Sequence, residues 1–153
     1  MTSRPSAVTT RVALVTGGNR GIGLEVCRQL AQLGYTVLMG SRDLQNGEEA
    51  AATLKANGNV CALELDIADS TSVTSAAKYV DKAFGHLDVL INNAAILYDT
   101  WQHASTADLA QVHQAFNTNT LGAWRMVQAF LPLLRKGTHV RIVNVSSEAG
   151  STF

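Results

Sequence analysis

Short runs of apolar, often β-branched residues alternate along this chain with longer stretches whose apolar positions recur every three or four residues. The first run, residues 11–16, ends at Gly17-Gly18 and predicts a buried strand. Residues 21–33 place Ile22, Val26, Leu30 and Leu33 at helical spacing, and Gly34 stands where a helix terminator belongs. By the same reasoning the pattern predicts strands over 36–40, 60–65 and 88–92. It predicts helices from Asp43 to about Asn57, and from Asp69 or Ser70 to Phe84, with Gly58 and Gly85 as stops. Two helical stretches, about 105–115 and 117–135, precede a fifth strand at 140–145. Strands alternating with helices imply βαβ units, hence an α/β fold with a parallel sheet, helices on both faces and right-handed crossovers. Residues 1–10 read as a flexible Ser/Thr/Pro leader and 11–153 as a single domain.

Composition narrows the function classes. At 46% hydrophobic and 16% charged, the 153-residue chain is globular rather than disordered. Twelve basic against twelve acidic residues give no net charge, which argues against nucleic acid or an acidic membrane surface as partner. No run approaches the roughly 18 apolar residues of a membrane span, and the start lacks the apolar core of a signal peptide. Cys27 and Cys61 form no CxxC and no Cys/His cluster, and read as reduced thiols. The expected location is therefore the cytosol. The four histidines have no partners at metal-ligand spacing, so no metal site is expected.

The chemistry lies in Thr16-Gly17-Gly18-Asn19-Arg20-Gly21-Ile22-Gly23, between the first strand and the first helix. Glycines there permit a tight turn, close approach of backbone to a pyrophosphate, and helix-on-strand packing. The helix N-terminus offers free N–H groups to the phosphates. The loop therefore predicts a dinucleotide site. An NAD site wants a carboxylate about 20 residues further on, at the end of the second strand. That place falls at Gly40-Ser41-Arg42, where there is no acid. Arg42, with Arg20 in the loop, suits the 2′-phosphate of NADP(H). The alternative is that both arginines are solvated and Asp43 binds the ribose.

These motifs, with Leu65-Asp66-Ile67, Asn92-Asn93-Ala94-Ala95, Asn119 with Gly122, and Ile142-Val143-Asn144-Val145-Ser146-Ser147, resemble the short-chain dehydrogenase/reductase family, and within it the carbonyl reductases. The resemblance implies a Rossmann-type, three-layer, doubly wound sheet with strand order 3-2-1-4-5, whose C-terminal strands and helices are missing from this chain. It implies NADP(H) as cofactor, held by Gly17, Asn19, Arg20, Gly21, Ile22, Gly23, Ser41, Arg42, Asp66, Ile67, Asn93 and Ala94. Asp66 and Ile67 match the adenine contacts, although Asp66 is also placed to be a helix-region carboxylate. Ala95 stands where the family has glycine, a substitution that fits if φ is negative. Asn119 matches an asparagine that helps hold a water in a proton relay. Ser147 matches the serine that hydrogen-bonds the substrate carbonyl, with Ser146 as the neighbouring alternative.

The implied reaction is hydride transfer between nicotinamide and a small-molecule carbonyl or alcohol. In this family a tyrosine, with a lysine one helical turn later, supplies the proton. Tyr35, Tyr79 and Tyr98 are followed four positions on by Met39, Ala83 and Gln102, so the sequence holds no Tyr-x-x-x-Lys. The expectation is a cofactor-binding portion whose activity alone is doubtful. The alternative is a non-catalytic NADP(H)-binding or interaction protein. The apolar helix 117–135 and strand 140–145 are expected to favour self-association. Tyr98 and Trp101 are candidates either to line the carbonyl pocket or to cover the sheet end.

Overall fold

A computed structural model describes residues 10–97, 103 and 105–147. Tyr98 and Trp101, and nearly all of the leader, lie outside them. Five parallel strands form one sheet: β1 (Val12–Val15), β2 (Thr36–Ser41), β3 (Val60–Glu64), β4 (Val89–Asn92) and β5 (Arg141–Asn144). Their order is β3-β2-β1-β4-β5, the order expected of a doubly wound sheet. The helices are α1 (Gly21–Gln32), α2 (Leu44–Thr53), α3 (Ser70–Phe84), α4 (Leu109–Phe116) and α5 (Ala123–Leu134).

The strands read as continuous apolar runs because both faces of the sheet are covered. Along β1, Val12 and Leu14 face one layer and Ala13 and Val15 the other. On the first face Leu14, Leu38 and Leu90 pack with Val73, Val80, Met126 and Phe130 of α3 and α5. On the second, Val15, Val37, Met39 and Ile91 pack with Cys27 and Ala31 of α1 and Ala51 of α2. Burial pushes the Cys27 thiol up to about 12.

The helix ends follow the expected chemistry. Asp43, Asp69 and Asp108 cap α2, α3 and α4 by accepting from backbone N–H groups of the first turn. Gly34 and Gly85, which follow α1 and α3, adopt φ of 83° and 73°. At the foot of the sheet, the buried Asp88 carboxylate accepts from Val12 N (2.8 Å) and Thr138 N (2.9 Å). It thereby joins β1, the start of β4 and the α5–β5 connection.

The two helical stretches expected near 105–115 and 117–135 are present as α4 and α5, and they are continuous with one another. α4 passes into α5 through a wide π-helical turn, Asn117–Gly122, without a break in the helical path. Asn117, Thr118, Asn119 and Thr120 are weak helix formers, which is why the sequence reads as an interruption. On α5, Met126, Phe130, Leu133 and Leu134 are buried, while Trp124 is 64% exposed.

Candidate functional site

The site lies at the C-terminal ends of the strands, where ligands bind open α/β sheets. β1 ends at Val15, and the chain turns through residues 16–20 into α1. Gly17 adopts φ +61°, and a Cβ there would stand 3.0 Å from Ala94 Cα. A Cβ on Gly23 would meet the Gly17 carbonyl oxygen at 2.3 Å, so only hydrogen fits. The turn is braced from the end of β4. Asn93 Nδ2 donates to the carbonyls of Thr16 (2.9 Å) and Gly17 (3.1 Å). The Thr16 hydroxyl accepts from the backbone N–H groups of Asn93 (3.0 Å) and Ala94 (2.9 Å) and donates to Ile91 O (3.3 Å). Arg20 occupies the N-cap of α1 and makes no side-chain cap, unlike the aspartates that cap α2, α3 and α4. The first-turn N–H groups of α1 are thus left for a ligand rather than a side chain.

The loop forms one wall of a cavity of about 710 Å³. Of the residues expected to hold a cofactor, Gly17, Asn19, Arg20, Gly21, Ile22, Ser41, Arg42, Asp66, Ile67, Asn93 and Ala94 line it. Gly23 lies just behind the wall, against Gly17. Sequence reasoning passed over Asn46, Leu65, Ile96 and Thr118, which also line it. It also gave no role to Thr16, whose place at the head of the glycine loop was the available signal. Neither Arg20 nor Arg42 has a carboxylate partner among the described residues. Asp43, the alternative ribose acid, also lines the cavity; its Oδ1 accepts from Asn46 N at 2.9 Å, and its backbone carbonyl accepts from the Ser41 hydroxyl at 2.7 Å. Asp66 Oδ1 accepts from Ala68 N at 2.9 Å, so this carboxylate does order the start of the helix region.

The two expected catalytic residues do not line the cavity. Asn119 sits in the wide turn and is clasped to the loop after β4. Its Oδ1 accepts from Ile96 N (2.8 Å) and its Nδ2 donates to Ile96 O (2.9 Å). Ser147 is exposed, three residues beyond β5, whose parallel alignment with β4 extends through Val145 N donating to Asn92 O at 2.9 Å. Ala95 is accommodated without strain, because no non-glycine residue among those described has positive φ. The close backbone approach falls instead between Gly17 and Ala94.

Two cations without carboxylate partners among the described residues and a helix start without a side-chain cap suit an anionic, extended ligand. A family model described as short chain dehydrogenase matches residues 11–152. The chain belongs to the short-chain dehydrogenase family. Among curated members of that family, (+)-neomenthol dehydrogenase of Arabidopsis thaliana is 40% identical over 163 residues, covering 93% of this chain and 55% of the relative. Among solved structures, menthone neomenthol reductase from Mentha piperita superposes with a TM-score of 0.84 at 32% identity, over 94% of this chain and 62% of that one. The Pseudomonas aeruginosa RhlG/NADP active-site complex gives 0.86 at 28%, over 94% and 57%. This short-chain dehydrogenase chain spans about half the length of the curated relatives it matches.

Proposed function

We propose that this chain is the NADP(H)-binding portion of an oxidoreductase that moves a hydride between nicotinamide and a small-molecule carbonyl or alcohol. The observation that carries the reading is the pair Arg20 and Arg42, both without a carboxylate partner among the described residues and both on the wall of the glycine-loop cavity. The first-turn N–H groups of α1 would receive the pyrophosphate. Arg42 and Ser41 would receive the 2′-phosphate, which a guanidinium can bind bidentately. Asp66 and Ile67 would border the adenine. Thr16 and Asn93 hold the loop rigid, so the cavity is preorganised for the ligand. The cofactor, when bound, supplies the hydride chemistry. Ser147 would donate its hydroxyl to the substrate carbonyl oxygen, and Asn119 would hold the loop at Ile96.

Several related proteins are reductases or dehydrogenases by name, and among the neighbouring structures two are complexes with NADP and a third is a complex with 5-hydroxy-NADP. These support the reading without fixing a substrate. Among the described residues both cysteines are free, which supports a reducing compartment such as cytosol. No described helix is long and apolar enough to cross a membrane. Fluorescence titration of the 153-residue chain with NADPH and NADH, alongside a carbonyl-reduction assay, tests the proposal. NADPH should bind and be preferred over NADH, with little turnover, since the sequence contains no Tyr-x-x-x-Lys. Absence of any nicotinamide binding would overturn the reading.

A further inference from the structure

Arg125 is the third residue of α5 and is half-buried. One of its terminal nitrogens donates to Ile67 O and the other donates to Asn117 Oδ1 at 3.1 Å. Asn117 in turn donates from Nδ2 to Ala68 O at 3.4 Å. Among the described residues no carboxylate pairs with this guanidinium. Beside it, Gly122 brings the helix backbone against the same segment: a Cβ there would stand 2.8 Å from Ile67 Cδ1. The wide turn is therefore gripped to two consecutive carbonyls of the β3–α3 connection. From the same turn, Asn119 holds both backbone groups of Ile96 on the β4–α4 connection. Ile67 and Ile96 both line the cavity, one from each of these two connections.

We infer that Arg125 is a positioning residue for the cavity: it fastens the turn carrying Asn119 to Ile67 and, through Asn117, to Ala68, so that the two connections hold one spacing. A planar guanidinium can bridge two acceptors that lie apart, whereas a leucine makes neither bond. Arg125 itself does not line the cavity. For its functional meaning the inference rests on the cavity being the NADP(H) site.

Residue-resolved hydrogen exchange on the 153-residue chain separates the two questions. Arg125→Leu should speed exchange of the Ile96 and Ala68 amides about tenfold while leaving the β1 and β2 amides unchanged. It should also raise the NADPH dissociation constant about three- to tenfold, the size expected when a charge-assisted hydrogen bond is felt indirectly. Asn117→Ala should reproduce the pattern, and the double variant should add little to either single one, as members of one network do. Unchanged Ile96 protection in Arg125→Leu, or equal loosening of β1 and β2, would overturn the inference. If Arg125→Leu does not fold, Asn117→Ala carries the same decision. If the unsubstituted chain binds no NADPH, the cofactor reading falls and the exchange pattern still decides the role of Arg125.

Discussion

At the scale of single residues, charge at one position decides which cofactor the site can prefer. Arg42→Asp should weaken NADPH by about ten- to a hundredfold, the worth of one lost charged hydrogen bond plus a new repulsion. NADH should change far less, because it carries no 2′-phosphate. Paired titrations check this, and equal effects on both would remove Arg42 from the site. Thr16→Val makes a second case. It keeps the shape but removes the acceptor for Asn93 N and Ala94 N. Leaving those donors unsatisfied should cost about 1–3 kcal/mol of stability, read by denaturant unfolding. The glycine loop and Arg42 were legible in the sequence because their roles follow from backbone freedom and charge at a fixed spacing. The role of Thr16 was not. Its partners lie 75 to 78 positions away in sequence, and no local pattern marks a hydroxyl as a brace.

At the scale of elements, the strands and most helix ends were legible because apolar runs, aspartate caps and terminal glycines are local signals. The passage from α4 to α5 was not, since a period of 3.6 residues carries no record of a wide turn stabilised by bonds to distant loops. Asn119 could be recognised by motif, yet the clasp it makes on Ile96 is visible only in three dimensions. Asp88 shows the same dependence on tertiary context. Burial alone would raise its carboxyl. The backbone N–H groups of Val12, Thr138 and His139, with the His86 ring at 3.3 Å, outweigh burial and hold it below the usual carboxylate range. A carboxyl depressed in the folded state contributes stability that is fully present above about pH 4 and lost as pH falls through the folded value. Asp88→Asn should therefore lower stability at neutral pH by about 1–3 kcal/mol. It should also flatten the loss below about pH 4. Urea midpoints at neutral and acid pH compare the two, and parallel pH curves would refute the assignment.

At the scale of the whole molecule, apolar surface is unevenly distributed. The faces of the sheet beneath α1, α2, α3 and α5 are closed, while Trp124 on α5 and Ile142 and Val143 on β5 are open to solvent, the last two at 40% and 44%. β5 is also an edge of the described sheet. Edges with apolar side chains pair readily with other chains. The 153-residue chain should self-associate with rising concentration, and Trp124→Glu with Ile142→Lys should reduce this. Sedimentation velocity checks it, and a monomer unchanged across the concentration range would count against it. The wide turn has a different consequence at this scale, one of chain length. A π-helical turn takes in one more residue than an α-helix of the same course. Deleting Thr120 should thus be absorbed as ordinary helix, leaving Met126 and Phe130 on the core, whereas a deletion inside α5 would swing everything on one side of it by about 100° around the helix. The molecule holds one spare residue of length, and giving it up would release the clasp on Ile96 and shift Asn117 relative to Arg125.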